Sequence, residues 1–281
     1  MIGLAGRLGL IAFGGVFAML LLEGGLRLME ATGLRRPLIN RTNNPALYSV
    51  FLPQYPETVR LYQPNGHETL RGPEFTFTID THGLTFGDVG FRDDGINGPA
   101  DIVAVGDSFV LGWGVEMQDN WVEGLERATG RDVANLGVIG GTHKTARILD
   151  LYGLPLKPRL ALFGVYANDL SENAQFMAWQ ASGIANPDDF RDSTQQTHVA
   201  FFGARKWLSE NSRTYQLVGD TYYRWRNPPC RYRSNDLDLI FYPDQWIAEL
   251  DFSDPAIASA WTMARQDLLD SKAAADANGV D

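Results

Sequence analysis

The sequence predicts an α/β fold: a parallel sheet covered by helices on both faces, preceded by one N-terminal hydrophobic helix. Three observations lead there. From residue 101 onward, short apolar runs alternate with helical segments. Near the amino terminus stands an uncharged stretch, LGLIAFGGVFAMLLL, from Leu8 to Leu22. The chain of 281 residues is 44% hydrophobic and 21% charged, which suits one α/β core plus an appendage.

The first element is the apolar stretch. A membrane span needs about 20 residues, so Leu8 to Leu22 is slightly short unless its flanks are counted. It can be a cleaved signal peptide, a single-pass anchor or a buried helix. No A-x-A-like site follows, and the helical pattern continues through EGGLRLMEATG, which favours an anchor over residues 1–32. Arg27, Arg35 and Arg36 follow the segment while only Arg7 and the amino terminus precede it. Charge alone therefore favours the opposite of export.

Residues 33–100 read as a connecting segment with short strands, rich in Pro, Asn, Gly and Thr. In EFTFTID (74–80), Phe75, Phe77 and Ile79 alternate with threonines and predict a half-exposed strand. The expectation is a stalk with a small hairpin, covering the core rather than forming it.

The α/β domain is expected over residues 101–281. DIVAVG (101–106) is a buried strand; Asp119 is the expected cap of a helix through NWVEGLERATG; DVANLG (132–137) is a second strand. Thr142 opens a further helix, and RLALFGV (159–165) is a third buried strand. An insertion at about 180–250 interleaves Trp207, Tyr215, Tyr222, Tyr223 and Trp225 with arginines. It reads as an amphipathic helix with a loop, or as a lid or sugar-binding surface. Ser253-Asp254-Pro255 starts the last helix and Gly279 ends it.

In parallel sheets, ligands bind at the carboxyl ends of the strands. That rim receives GDS after the first strand, NLGVIGGT after the second and GVYANDL after the third. A serine directly after a buried strand is presented to substrate, which makes Ser108 the candidate nucleophile. The backbone N–H groups of Ser108 and Gly140 and the side-chain amide of Asn168 are candidate donors to an oxyanion.

These blocks resemble the SGNH (GDSL-type) hydrolases: Gly106-Asp107-Ser108-Phe109, then Asn135 to Thr142, then Ala167-Asn168-Asp169, in the family's order and at fitting separations. The stretch THGLTFGDVGFRD looks like the lead-in of membrane-anchored members. The resemblance covers residues 101 to 170. It implies a flavodoxin-like three-layer α/β/α sandwich, the SGNH hydrolase fold. It also implies Ser108 as nucleophile, Gly140 and Asn168 as the remaining oxyanion donors, and Asp107 and Asp169 as supporting residues of the rim. Gly137 is the weaker claimant to the glycine role.

The family's fourth block, an Asp-x-x-His near the carboxyl end, is missing. The last helix should return to a parallel strand, yet only Val280 and Asp281 follow Gly279, so the domain is expected to be C-terminally incomplete. Without a base, a serine hydroxyl is a poor nucleophile at neutral pH. Of His67, His82, His143 and His198, His143 is nearest to the rim by position and reads as an exposed first-turn residue. His82, in Asp80-Thr81-His82, resembles the Asp-x-His pair of SGNH-like polysaccharide O-acetyltransferases.

The implied function is a serine ester hydrolase working through an acyl-enzyme on O-acyl groups of cell-envelope glycans or lipids. The alternatives are an SGNH-like O-acyltransferase and a non-catalytic SGNH-fold protein. The expected partners are an ester-bearing small molecule, lipid or glycan, and a membrane held by the N-terminal helix, with the α/β domain extracytoplasmic. A net charge of −10 argues against nucleic acid. No two histidines have ligand spacing and no dinucleotide or P-loop fingerprint is complete, so no metal and no cofactor is expected. The lone Cys230 cannot form an internal disulfide.

Overall fold

A computed structural model describes residues 4–34, 61–71, 76–84, 89–96, 98–185, 189–190, 201–226, 228, 230–234, 238–241 and 243–281. Phe75, His198 and much of the expected connecting segment lie outside these residues. In chain order the elements are α1 (Leu4–Ala31), β1 (His67–Arg71), β2 (Thr76–Asp80), β3 (His82–Gly83), β4 (Gly90–Phe91) and β5 (Ile102–Val105). Then come α2 (Ser108–Leu111), α3 (Trp121–Thr129), β6 (Val133–Asn135), α4 (Thr142–Ile148), β7 (Leu160–Phe163) and α5 (Asn168–Ser182). The last are α6 (Phe202–Asn211), α7 (Arg213–Arg226), β8 (Cys230–Arg233), β9 (Asp238–Phe241), α8 (Pro243–Glu249) and α9 (Pro255–Ala277).

The protein is mixed α/β, with a three-stranded parallel sheet in the order β6-β5-β7. The pleat sorts the central strand between two cores. Val103 and Val105 face a large cluster with Leu136, Ile148 and Tyr152. Ile102 and Ala104 face a smaller one with Val122 of α3. Both faces of β5 are therefore covered, as a run of four buried apolar residues requires.

The segment before β5 differs from the expected stalk. Leu61, Phe77, Ile79, Val89 and Phe91 are all 0% exposed and belong to the large cluster with Val103 and Val105. The threonine alternation placed Phe77 and Ile79 on one face correctly, but that face meets the main core. The cap of α3 also differs. Asn120, not Asp119, accepts the Val122 N–H at 3.2 Å, because Met117–Asp119 forms a tight 3-10 turn ahead of it. The carboxyl end of α9 follows expectation: Gly279 has φ +69° and the Val280 N–H returns to Ala275 O at 2.9 Å. Val280 is buried in the large cluster, and the Asp281 backbone pairs with Arg159 O and Ala161 N along the free edge of β7.

The chain divides into two compact units, and α1 belongs with residues 193–242 rather than with the sheet. Within that unit Glu23 of α1 caps α7, its carboxylate accepting from Arg213 N at 3.1 Å and Thr214 N at 2.9 Å. Arg213 Nε in turn lies 2.8 Å from Glu30. Further along α1, Phe13, Val16, Met19 and Leu20 are exposed, while the carboxyl half carries Glu23, Arg27 and Glu30. Among the described residues, no helix is long and apolar enough to cross a membrane. Of the inserted aromatics, Trp207, Tyr222 and Trp225 are exposed.

Candidate active site

The strand order places β6 and β7 on opposite sides of β5, so the chain reverses direction across the sheet between β5 and β7. In open α/β sheets the carboxyl-end crevice at such a reversal is where ligands sit. Ser108 follows β5 and Asn168 follows β7. The three strand ends are flush: Gly164 N donates to Val105 O at 2.8 Å and Val138 N to Gly106 O at 2.9 Å.

Ser108 is the first residue of α2 and is half-buried. Asp107 caps that helix, its Oδ1 accepting the Phe109 N–H at 2.9 Å. Two glycines make the geometry possible. A Cβ on Gly106 would lie 3.0 Å from Gly164 O, and one on Gly137 would lie 2.2 Å from Leu111 N. Gly137 is thus the floor under α2, which accounts for it without an oxyanion role.

Gly140 precedes α4 with φ +155°, and a side chain there would strike Lys144. Lys144 is buried and donates from Nζ to Ile139 O at 2.7 Å. The segment meets α5 directly, since Asn173 Nδ2 donates to the Thr142 hydroxyl at 2.8 Å. Asn168 is half-buried at the start of α5, and its Nδ2 donates to Glu172 Oε1 at 3.2 Å. Asp169 is 1% exposed and accepts the Tyr166 N–H at 2.9 Å. Phe109 and Tyr166 close the remaining side with ring centroids 4.2 Å apart, and Trp246 stands edge-on to Tyr166 at 5.4 Å. The segments holding Ser108, Gly140 and Asn168 therefore meet pairwise, and an aromatic wall borders them.

The lead-in GFRD also acts here. Arg92 is 0% exposed and donates to Leu111 O, Gly112 O and Val115 O in the turn after α2, and to Thr78 O of β2. The turn after α2 is held by this guanidinium together with Asn120, whose Nδ2 donates to Val110 O and Leu111 O.

The electrostatics were not legible from the motifs. Burial pushes the Asp169 carboxyl up to about 7, against the Tyr166 N–H and with help from the Asp107 and Glu172 charges. Burial likewise pushes Glu172 up to about 7; Lys144 and Asn168 oppose it, while Asp107 and Glu249 add to it. Asp107 is raised by burial, against the Phe109 N–H and the Ser108 hydroxyl. Glu172 and Lys144 are the residues sequence reasoning missed. Glu172 stands four residues after Asn168, one helical turn on along α5, and Lys144 lies in the first turn of α4, four residues after Gly140.

Histidine placement corrects one expectation. His143 is half-buried rather than solvent-exposed: its ring stacks on Phe176 at 3.6 Å and Nδ1 meets Asn173 Oδ1 at 2.9 Å. His82 is tied to the Asp93 carbonyl, and His67 to Asp80 at 2.5 Å. Among the described residues, no histidine is hydrogen-bonded to the Ser108 hydroxyl. The one group of His, Cys, Asp or Glu side chains close enough to share a metal ion, among the described residues, is Asp94, Glu123 and Glu126. Comparison of the chain with protein-family models, with curated proteins and with solved structures finds no match.

Proposed function

We propose that the α/β unit is a flavodoxin-like three-layer domain of SGNH type and that Ser108 attacks an ester to form an acyl-enzyme. The observation that carries the reading is the meeting of the three expected loops at the strand-order reversal, with Ser108 on a helix start directly after the central strand. Gly140 and Asn168 are assigned to the oxyanion and Asp107 and Asp169 to support, Asp107 as the cap of α2 and Asp169 by holding the Tyr166 N–H ahead of α5. The wall of Phe109, Tyr166 and Trp246 suits an acyl chain or the face of a sugar, in line with an O-acyl glycan or lipid as substrate. Hydrolysis and acyl transfer share this intermediate and differ only in the acceptor. The exposed apolar side chains of α1 support a seat at a membrane, with the α/β unit on the extracytoplasmic side.

A second reading is favoured by one observation: no histidine is bonded to Ser108 among the described residues, which fits a non-catalytic protein of the same fold. A fluorophosphonate probe separates the two. Labelling of the chain that disappears in Ser108→Ala supports the acyl-enzyme. Equal labelling of both removes the nucleophile assignment, and labelling of neither supports the non-catalytic reading.

A further inference from the structure

We propose that Asp94, Glu123 and Glu126 form a calcium site at the open edge of β6. The backbone explains part of this acidic group. β6 is an edge strand, so Val133 N and Asn135 N point away from β5 and need acceptors. Glu126 Oε2 takes the first at 2.9 Å and Asp93 Oδ2 the second at 2.7 Å, while Asp93 Oδ1 accepts Gly95 N at 2.9 Å. Asp93 is thereby fully used, and one oxygen of Glu126 with it.

Glu123 is not explained in this way. It is 7% exposed, its Oε1 is buried without a hydrogen-bond partner, and it lies on the face of α3 that also carries Glu126. A carboxylate oxygen from each of Asp94, Glu123 and Glu126 lies within 4.8 Å of the others. An uncompensated buried carboxylate is costly, and the like charges of Asp93, Asp94 and Glu126 beside it add to the cost. The cation among the charges acting on Glu123 is Arg127, whose Nη2 is directed to Gln118 O at 2.7 Å.

The donor set consists of oxygen only, which selects a hard cation over zinc or copper. Three oxygens spread evenly around Ca²⁺ at about 2.3–2.6 Å stand about 4.0–4.5 Å apart, and around Mg²⁺ about 3.5–3.6 Å. The three oxygens lie within 4.8 Å of one another, a span that admits Ca²⁺ in its adaptable geometry without the strict octahedron that Mg²⁺ demands. Asp94 is exposed, which gives the ion an entry path, and water completes its shell.

The test uses the full chain stripped with EDTA and titrated calorimetrically with CaCl₂, then separately with MgCl₂. Saturable one-to-one Ca²⁺ binding with a rise in Tm is expected, and weaker binding of Mg²⁺. Asp94→Asn, at an exposed position, should lower Ca²⁺ affinity about ten-fold or more while leaving the metal-free Tm unchanged or slightly raised, because a ligand charge and its repulsion on Glu123 are removed. Glu123→Gln should abolish binding. Absence of saturable binding up to about 10 mM Ca²⁺, or wild-type affinity in Asp94→Asn, overturns the site.

Discussion

Replacing Arg92 tests how far one buried side chain holds the turn that follows α2, the helix that Ser108 opens. The terminal nitrogens of Arg92 donate to Leu111 O at 3.1 Å, Gly112 O at 2.5 Å, Val115 O at 2.7 Å and Thr78 O at 2.7 Å. Its guanidinium carbon also lies 5.5 Å from the centre of the Phe77 ring. Burial pulls the guanidinium down from its ordinary value, with Glu116, Tyr62, Asp80 and Glu123 opposing, but arginine stays charged at any working pH. A hydrogen bond to a charged group contributes about 1.5–3 kcal/mol, yet four bonds from one group do not add, because freed carbonyls shift or recover water. Disrupting a buried charged network typically costs about 3–5 kcal/mol. Arg92→Met is therefore expected to lose about 3–4 kcal/mol, and Arg92→Lys, which keeps charge but not the fork, about 2–3 kcal/mol. Urea unfolding followed by circular dichroism reads this as a midpoint about 1 M or more lower for Arg92→Met. Midpoints of both variants within about 0.2 M of wild type would show that the turn is held by something else.

Two further outcomes follow from burial and packing. Burial raises Asp169 and Glu172 to about 7 and Asp93 to about 6, while unfolded carboxyls titrate near 4. Between about pH 4 and 7 the folded chain then holds more protons than the unfolded one, so stability falls as pH rises through that window. The urea midpoint should be lower at pH 8 than at pH 5 and the difference smaller in Asp169→Asn/Glu172→Gln; a midpoint that climbs toward pH 8 contradicts this. Gly137→Ala should destabilise by about 1–3 kcal/mol, since its Cβ meets the backbone at Leu111 N (2.2 Å) and Val110 C (2.6 Å). Gly124→Ala in α3, whose nearest neighbour is the end of Arg127 at 3.9 Å, should instead stabilise by about 0.5–1 kcal/mol. Equal midpoints for the two alanine variants would remove the claim that Gly137 is a packing floor.

The parallel strands were legible from apolar runs that alternate with helical segments: DIVAV is buried on both faces as such a run requires, whereas VAN is short and RLALF, expected as a buried strand, is half-exposed along β7. The last helix was legible because its ends carry local signals: Asp254 accepts Ala256 N at 2.8 Å, Pro255 follows, and Gly279 adopts positive φ. The role of residues 61–96 was not. Their strands are only two to five residues long, and what makes them core is contact with Val103 and Val105, distant in sequence. Arg92 and Asp93 were visible only as letters in GFRD. That one clasps the turn after Ser108 and the other caps the edge of β6 depends on pairings across 19 and 42 positions.

The acidity of the rim bears on how Ser108 could act. The Asp107 and Glu172 charges raise Asp169, the Asp107 and Glu249 charges raise Glu172, and Lys144 is the cation that acts on Glu172. Four full negative charges would oppose an oxyanion forming at Gly140 and Asn168, since such a site works by aiming positive ends of dipoles at developing charge. Burial removes part of that opposition, because a carboxyl raised to about 7 carries a proton for much of the time at neutral pH. A protonated Glu172 can still accept from Asn168 Nδ2 through its carbonyl oxygen, so the donor amide stays oriented without a neighbouring full charge. On the proposed acyl-enzyme reading, the burial that makes this cluster costly to fold also lessens its opposition to an oxyanion. Neutralising the carboxyls does not make Ser108 a nucleophile, and the source of its activation decides between the two readings of this fold.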